Sequence, residues 1–341
     1  MRKTAVVIYN LGGPDSPEAV RPFLKNLFSD PMILRVPAPV RWFLARLISW
    51  RRAPVAQEIY AQIGGRSPIL PETEKQRDAL QAALGDDYRV FVSMRYWHPF
   101  ADETARDVAA WGPDRVILLP LYPQFSTTTT ESFTRAWYPA AAAAGLSVPT
   151  AEICCWPDAD GFVDAVARAT AAAIAKLPDG VPYRILFSAH GLPKKIVDAG
   201  DPYASQVDRT SAAALARLAN PDADHVVCYQ SRVGPLEWLQ PYTEDEIKKA
   251  GADGMALVVV PVAFVSEHSE TLVELDIEYA ELAADSGVPH YVRAPTVNAD
   301  SAFIATLADI VRDTGETGTG PANGRYCDPV HGDCPCLKKA S

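Results

Sequence analysis

The sequence predicts an α/β protein built on two parallel sheets, each flanked by helices. Apolar runs with strand character recur at 4–9, 89–93, 115–120, 150–155, 183–188, 225–229, 256–264 and 290–292. Helical patterns separate most of them, including Ala-rich 162–176 and 204–219. Alternation of this kind lays strands parallel and puts helices on the sheet faces. A chain of 341 residues has material for about two domains with separate cores. The spacing of the runs divides it into 1–145 and 146–298.

The first run lies in MRKTAVVIYNLGGPDSPEAV. Its apolar core of about eight residues runs into Asn-Gly-Gly-Pro without a small-residue cleavage site, unlike a signal peptide. It reads as strand, turn and helix, with Ser16 as N-cap, Pro17 at N1 and Glu18 in the first turn. The turn holds the place of a phosphate loop, but it is neither G-x-G-x-x-G nor a Walker A, and Pro14 removes an amide donor. No segment approaches the roughly 20 apolar residues of a membrane span, so a cytoplasmic protein is expected. A net charge of −10 with no basic, aromatic-rich patch argues against nucleic acid as a partner.

Segment 36–54 crowds Trp42, Phe43, Leu44, Leu47, Ile48 and Trp50 among Arg41, Arg46, Arg51 and Arg52, with no acid. It suits an anionic membrane surface, or equally a helix packed on the core with its arginines outward. An exposed apolar rim there would also admit a flat, greasy ligand.

Two later strand ends bring chemistry together. Run 183–188 leads into Ser188-Ala189-His190-Gly191-Leu192-Pro193, which places His190 at the carboxyl end of a strand. Run 256–264 ends in acids. If 267–280 is helical, Glu267, Glu270, Glu274 and Glu278 share one face, with His268 among them. Between Lys249 and Arg293 no Lys or Arg neutralises them. Such a row suits a solvated helix face. Beside a histidine, at the strand ends where open α/β sheets bind ligands, it suits proton transfer and cation handling.

The chain closes with a linker-like stretch at 314–324 and then Cys327, Cys334 and Cys336. Thiols this dense in a chain without an export signal point to a metal or an iron–sulfur cluster. A cluster needs four thiolates. Cys154, Cys155 and Cys228 are the remaining thiols, and His331 is a nitrogen alternative. Cys154 and Cys155 are neighbours on one expected strand, which points them to opposite faces, so one of the two is expected to reach the tail.

These residues resemble ferrochelatase, the family that inserts ferrous iron into protoporphyrin IX in the last step of haem synthesis. The resemblance runs through Asn10-Leu11-Gly12-Gly13-Pro14, Ile63-Gly64-Gly65-Arg66-Ser67-Pro68, Met94-Arg95-Tyr96-Trp97-His98-Pro99 and Leu121-Tyr122-Pro123-Gln124-Phe125-Ser126. It continues through the His190 motif, Gly200-Asp201-Pro202-Tyr203, Tyr229-Gln230-Ser231-Arg232-Val233-Gly234-Pro235 with Trp238, and Pro261-Val262-Ala263-Phe264 with His268 and Glu270. It implies two Rossmann-like domains with a cleft between them, and a helix at 299–313 returning to the first. It makes His190 and Glu270 the catalytic pair that meets substrate Fe2+, with Glu270 facing His190 across the porphyrin. Glu274 and Glu278 would extend a proton or metal track, with Glu267 and His268 beside it. Leu11, Arg95, Tyr96, Tyr122, Gln230 and Trp238 match positions around the macrocycle. Segment 36–54 matches the lip that exchanges porphyrin with the membrane, which implies a peripherally bound monomer or homodimer.

The cysteines depart from the animal pattern. Animal members space their tail thiols C-x2-C-x4-C and carry a fourth after the Tyr-Pro-Gln-aromatic-Ser motif. Here the tail reads C-x6-C-x-C and Thr127 fills that fourth position. The chain is similar to bacterial members that hold a 2Fe-2S cluster with other spacing, which implies Cys154 or Cys155 as the fourth ligand.

Overall fold

The computed structural model describes residues 2–320 and 327–336. In chain order the elements are β1 (Thr4–Asn10), α1 (Val20–Ser29), α2 (Ala38–Ala61), α3 (Ile69–Leu84), β2 (Tyr88–Met94), α4 (Ala101–Trp111), β3 (Arg115–Pro120), α5 (Thr130–Ala143), β4 (Thr150–Ile153) and α6 (Asp160–Ile174). There follow β5 (Tyr183–His190), α7 (Lys194–Asp198), α8 (Tyr203–Leu215), β6 (His225–Gln230), α9 (Thr243–Ala252) and β7 (Ala256–Pro261). A π-helix (Glu270–Glu278) runs directly into α10 (Tyr279–Asp285), and β8 (Tyr291–Arg293), α11 (Ser301–Asp313) and β9 (Gly318–Gly320) follow.

The strands form two parallel sheets, ordered β2-β1-β3-β4-β9 and β6-β5-β7-β8. β1, β3 and β7 are buried along their whole length. That accounts for their unbroken apolar character, since helices cover both faces of a parallel sheet. The two cores expected from chain length are one across the middle of the molecule. Val6, Ile8, Ile117 and Leu119 of the first sheet share a cluster with Ile185, Phe187, Val258 and Val260 of the second. Phe162, Phe303 and Leu80, from α6, α11 and α3, belong to it too. Each sheet packs its outer face on a smaller cluster of its own.

Several expected boundaries move. β4 was expected in the second half, but Val116 pairs with Thr150 and makes it the fourth strand of the first sheet. The α5 crossover from β3 returns the chain to the adjacent position, as short connections do. Part of the expected linker is β9, hydrogen-bonded to β4 with Ala151 opposite Gly318. Residues 321–326 of that stretch lie outside the described residues. α11 packs against both α6 and α3 and so bridges the halves. Its approach to α6 is close, because a Cβ on Gly161 would lie 2.2 Å from the Ala302 carbonyl oxygen.

Helix α1 begins at Val20, later than its cap residues imply, although the Ser16 hydroxyl does accept from the Ala19 N–H at 3.3 Å. A helix continuous from Pro17 would drive the Pro22 ring into the Glu18 carbonyl. Starting at Val20 places Pro22 in the first turn, where no N–H is required.

Candidate active site and cysteine cluster

Neighbouring strands of the second sheet deliver the site. His190 ends β5, Gln230 ends β6, and the two pair in register. The loop leaving β7 carries Glu267 and His268 into the π-helix, which holds Glu270 and Glu274. His190 Nδ1 lies 2.8 Å from Glu270 Oε2. An Nδ1–H donated to the carboxylate fixes the tautomer and leaves Nε2 as the free base. Burial works against the charged imidazolium, but the charge and hydrogen bond of Glu270, reinforced by Glu274, raise the His190 pKa. Burial likewise opposes ionisation of Glu270, yet His190 and His268 bring its pKa down to about 2. The pair therefore touches, instead of standing apart with room for a macrocycle between the two groups.

Behind the pair, Glu274 Oε1 accepts from the Ser231 N–H at 2.8 Å and from the Tyr279 hydroxyl at 3.0 Å. Its Oε2 accepts from Gln230 Nε2 at 3.1 Å and meets the Ser231 hydroxyl. Burial, then the charge of Glu270, raises the Glu274 pKa. Buried His268 points Nδ1 at the Ser266 carbonyl, 3.1 Å away, with Nε2 4.0 Å from Glu270 Oε2. Burial lowers its pKa.

The acid stripe is not one uncompensated row. Arg293 from β8 returns to the segment, bonding Glu267 at 3.0 Å and Asp276 at 2.5 Å. Burial opposes ionisation of Glu267, but Arg293 and its hydrogen bonds lower its pKa. The helix is π rather than α, with the Tyr279 N–H bonded to the Glu274 carbonyl five residues back. Glu274 is half-buried behind Glu270, while Glu278 is exposed.

The expected porphyrin-binding residues separate into groups. The Trp238 ring stands edge-on to His190 at 6.4 Å, and Gln230 is buried with its amide on Glu274. Buried Asp30 accepts from Arg95 Nη2 at 2.9 Å, from the Tyr96 hydroxyl at 2.7 Å and from Ser132. Tyr96 is therefore 1% exposed. Leu11 packs in the same apolar cluster as Tyr96 and Tyr60, and Tyr122 lies edge-on to Tyr9 at 6.3 Å. The Tyr60 hydroxyl of α2 lies near Ser269, the neighbour of Glu270. Tyr60, Ser231, Tyr279 and Asp30 were not singled out in the sequence. Only Ser231 carried a signal, as a member of the motif that holds Gln230.

On α2 three large aromatic side chains face outward. Trp42 and Phe43 are each 58% exposed and Trp50 is 61% exposed. The Arg46 guanidinium lies 3.6 Å from the Trp42 ring centroid. α2 also packs on α1 through Ala53 and Tyr60 with Arg51 and Arg52 exposed, so the helix lies on the body of the protein and presents aromatics as well as arginines outward. Among the described residues, no helix is long and apolar enough to cross a membrane.

Cysteines from two parts of the chain gather beside α8. Cys154 Sγ lies 3.6 Å from Cys155 Sγ and 3.5 Å from Cys336 Sγ. Gln206 Nε2 reaches Cys327 Sγ at 3.2 Å and Cys155 Sγ at 3.6 Å. Cys334 bonds both Cys327 and Cys336. β4 ends at Ile153, so Cys154 and Cys155 escape strand alternation and both face the tail. Both residues thus approach the tail, where strand alternation predicts only one. Cys228 stands apart, bonded to Thr243. Among the described residues no three His, Cys, Asp or Glu side chains are arranged to hold a metal ion.

Two parallel sheets with an imidazole and carboxylates at their strand ends define a chelatase-like protein. The backbone agrees. SirB from Bacillus subtilis with Fe3+ superposes at a TM-score of 0.54 and 12% identity, over 92% of this chain and 95% of that one. The sirohydrochlorin chelatase SirB from Bacillus subtilis subspecies spizizenii, in complex with cobalt, gives 0.52 at 11% identity, over the same shares of the two chains. A family model described as Ferrochelatase matches residues 3–314. The ferrochelatase of Phenylobacterium zucineum is 53% identical over 340 residues, 98% of each chain. That of Caulobacter vibrioides is 50% identical over 348 residues, covering 100% of this chain and 99% of the other. The chain belongs to the ferrochelatase family and is a metal chelatase of the lyase class.

Proposed function

We propose that this chain inserts Fe2+ into protoporphyrin IX, releasing two protons and forming protohaem at the end of haem biosynthesis. The observation that carries the reading is the 2.8 Å contact of His190 with Glu270 at the strand ends, with Glu274 behind it. Metallation must remove two pyrrole N–H protons. His190 Nε2, made more basic by the carboxylate on Nδ1, accepts one of them. Glu270, held ionised, stabilises the imidazolium and meets the incoming cation together with His190. Glu274 receives the proton that leaves the pair. Leu11, Arg95, Tyr122 and Trp238 hold the macrocycle's periphery, and strain applied there bends the ring and exposes its nitrogen lone pairs. The test is anaerobic mixing of protein, protoporphyrin and Fe2+, followed by the haem absorption bands. Haem formation at the uncatalysed rate overturns the reading.

Two finer assignments belong to it. The thiols of Cys327, Cys334 and Cys336, with Cys154 or Cys155, fit a 2Fe-2S cluster in donor type. Thiolates sharing one tetrahedral metal at about 2.3 Å stand roughly 3.8 Å apart, near the 3.5 Å between Cys154 and Cys336. Bound there, the cluster supplies a one-electron centre and four Fe–S bonds that fasten the tail to the body. The exposed aromatics and arginines of α2 rest on an anionic membrane surface of the cytoplasmic compartment and pass porphyrin to the site.

A further inference from the structure

Ser231 follows β6 directly and has a φ of 65°, a left-handed conformation that a non-glycine residue adopts at a cost. The bend turns its backbone N–H onto Glu274 Oε1 at 2.8 Å. It also sets the hydroxyl between two carboxylates, 3.3 Å from Glu270 Oε2 and in contact with Glu274 Oε2. A hydroxyl has one proton to give and lone pairs to accept with. Between two ionised carboxylates it serves one and leaves the other facing an oxygen. Both contacts are hydrogen bonds only when one of the carboxyls is itself protonated. The acid then donates to Ser231 Oγ, and Ser231 Oγ–H donates to the remaining carboxylate. Glu270 is held ionised by His190, while Glu274 is buried beside that charge. The hydroxyl thus bridges the two carboxyls, and Glu274, its pKa raised by burial and then by the charge of Glu270, is the proton-accepting end.

We propose that the Ser231 hydroxyl relays protons from Glu270 to Glu274 during metallation. The relay rests on the reading of His190 and Glu270 as the proton-accepting pair. A pyrrole proton reaches His190 Nε2, and the Nδ1 proton passes to Glu270. The Glu270 O–H bond then breaks as a new O–H bond forms at Ser231 Oγ. In the same step the original Ser231 O–H bond breaks and its proton bonds to Glu274 Oε2. Serine is left unchanged, the negative charge returns to Glu270, and His190 remains neutral with its proton on Nε2, so one passage of the relay accounts for one pyrrole proton. Glu270 and Glu274 need no direct contact, because the hydroxyl spans them.

The variant Ser231→Gly tests this, because glycine adopts the left-handed backbone freely and keeps the N–H on Glu274. Only the hydroxyl is lost. The expected result is a fall in kcat of about tenfold or more, within the scale of proton-transfer catalysis. KM for porphyrin and Fe2+ and the thermal midpoint stay at wild-type values. Formate, small enough to carry a proton across the gap, restores kcat in proportion to its concentration. Wild-type kcat in Ser231→Gly overturns the relay. So does a loss that formate does not restore, or one that comes with a raised KM, since either marks a purely positional serine. His190→Ala separates the two readings. If it is inactive while Ser231→Gly is fully active, only the relay fails; if it is fully active, the catalytic pair itself is misassigned.

Discussion

The His190–Glu270 bond gives the site a defined pH response. Glu270 has its pKa lowered to about 2, so its contribution to stability is complete above the ordinary 4.5 and disappears as pH falls towards 2. His190 has its pKa raised, so its contribution is complete below the ordinary 6.5 and fades as pH climbs through the folded value. The ion pair is strongest between those limits. Catalysis needs the imidazole neutral, so kcat/KM rises with pH along a limb above 6.5. Glu270→Gln removes the charge that favours the imidazolium, and the limb moves to lower pH while the rate drops. An unmoved limb in that variant means that another group titrates. His190→Ala should cost about 10²–10⁴ in turnover while porphyrin binding, read by fluorescence quenching, persists. Retention of more than roughly a tenth of wild-type turnover contradicts a general-base role.

At the scale of elements, helices α2 and α6 make opposite demands on their surfaces. α2 exposes Trp42, Phe43 and Trp50 beside its arginines. Binding to anionic vesicles should weaken as salt rises, because the arginine attraction is screened. Serine at all three aromatic positions should reduce co-sedimentation with vesicles and slow porphyrin uptake from them. Equal vesicle binding by the triple variant removes the lip from the function. α6 meets α11 through Gly161, where an added Cβ would stand 2.2 Å from the Ala302 carbonyl and 2.3 Å from Thr306 Oγ1. Gly→Ala inside a free helix gains up to about 1 kcal/mol, whereas overpacking a tight contact loses roughly 1–3 kcal/mol. Backbone atoms cannot swing aside, so overpacking wins and Gly161→Ala should lower the thermal midpoint. A raised midpoint means that the α6–α11 approach is looser than these distances.

Across the whole molecule, the shared core and the tail decide stability. Apolar contacts run from the first sheet through α6 and α11 to the second sheet. The halves should therefore melt in one cooperative transition, although strand order alone suggests two units. The tail meets the body at the loop that leads into α8. Gly200, which precedes Asp201, packs on Gly332, and its carbonyl accepts from the Asp333 N–H at 3.2 Å. With a 2Fe-2S cluster bound, the protein should be red-brown, with about two irons and two sulfides per chain. Serine at Cys327, Cys334 or Cys336 should bleach it and lower the melting temperature, as loss of a bound metal does. Serine at Cys154 and at Cys155, tested separately, identifies the fourth ligand, since only one of them should bleach the chain. Colourless, iron-free protein from anaerobic preparation removes the cluster and leaves the catalytic pair untouched.

Much of this was legible in the sequence because it is local. Buried parallel strands read as continuous apolar runs, and a strand end followed by a turn reads as a place for His190. The family's motifs occur in order along nearly the whole chain, so family membership was legible as well. The rest depends on where distant segments meet. That Arg293 neutralises Glu267, that Cys154 and Cys155 both face the tail, and that β4 and β9 join the first sheet follow from chain returns across tens to hundreds of residues. Spacing rules describe one element at a time, and they assumed an α-helix where the chain forms a π-helix. Ser231 shows the difference most sharply. Its residue type promises only a hydroxyl, while its place between two carboxylates is set by β6, the π-helix and a left-handed turn acting together. Residue types and their order determined the fold class and the chemistry available. Packing between distant segments decided which groups touch, because proton transfer and ion pairing act over a few ångströms that no sequence distance records.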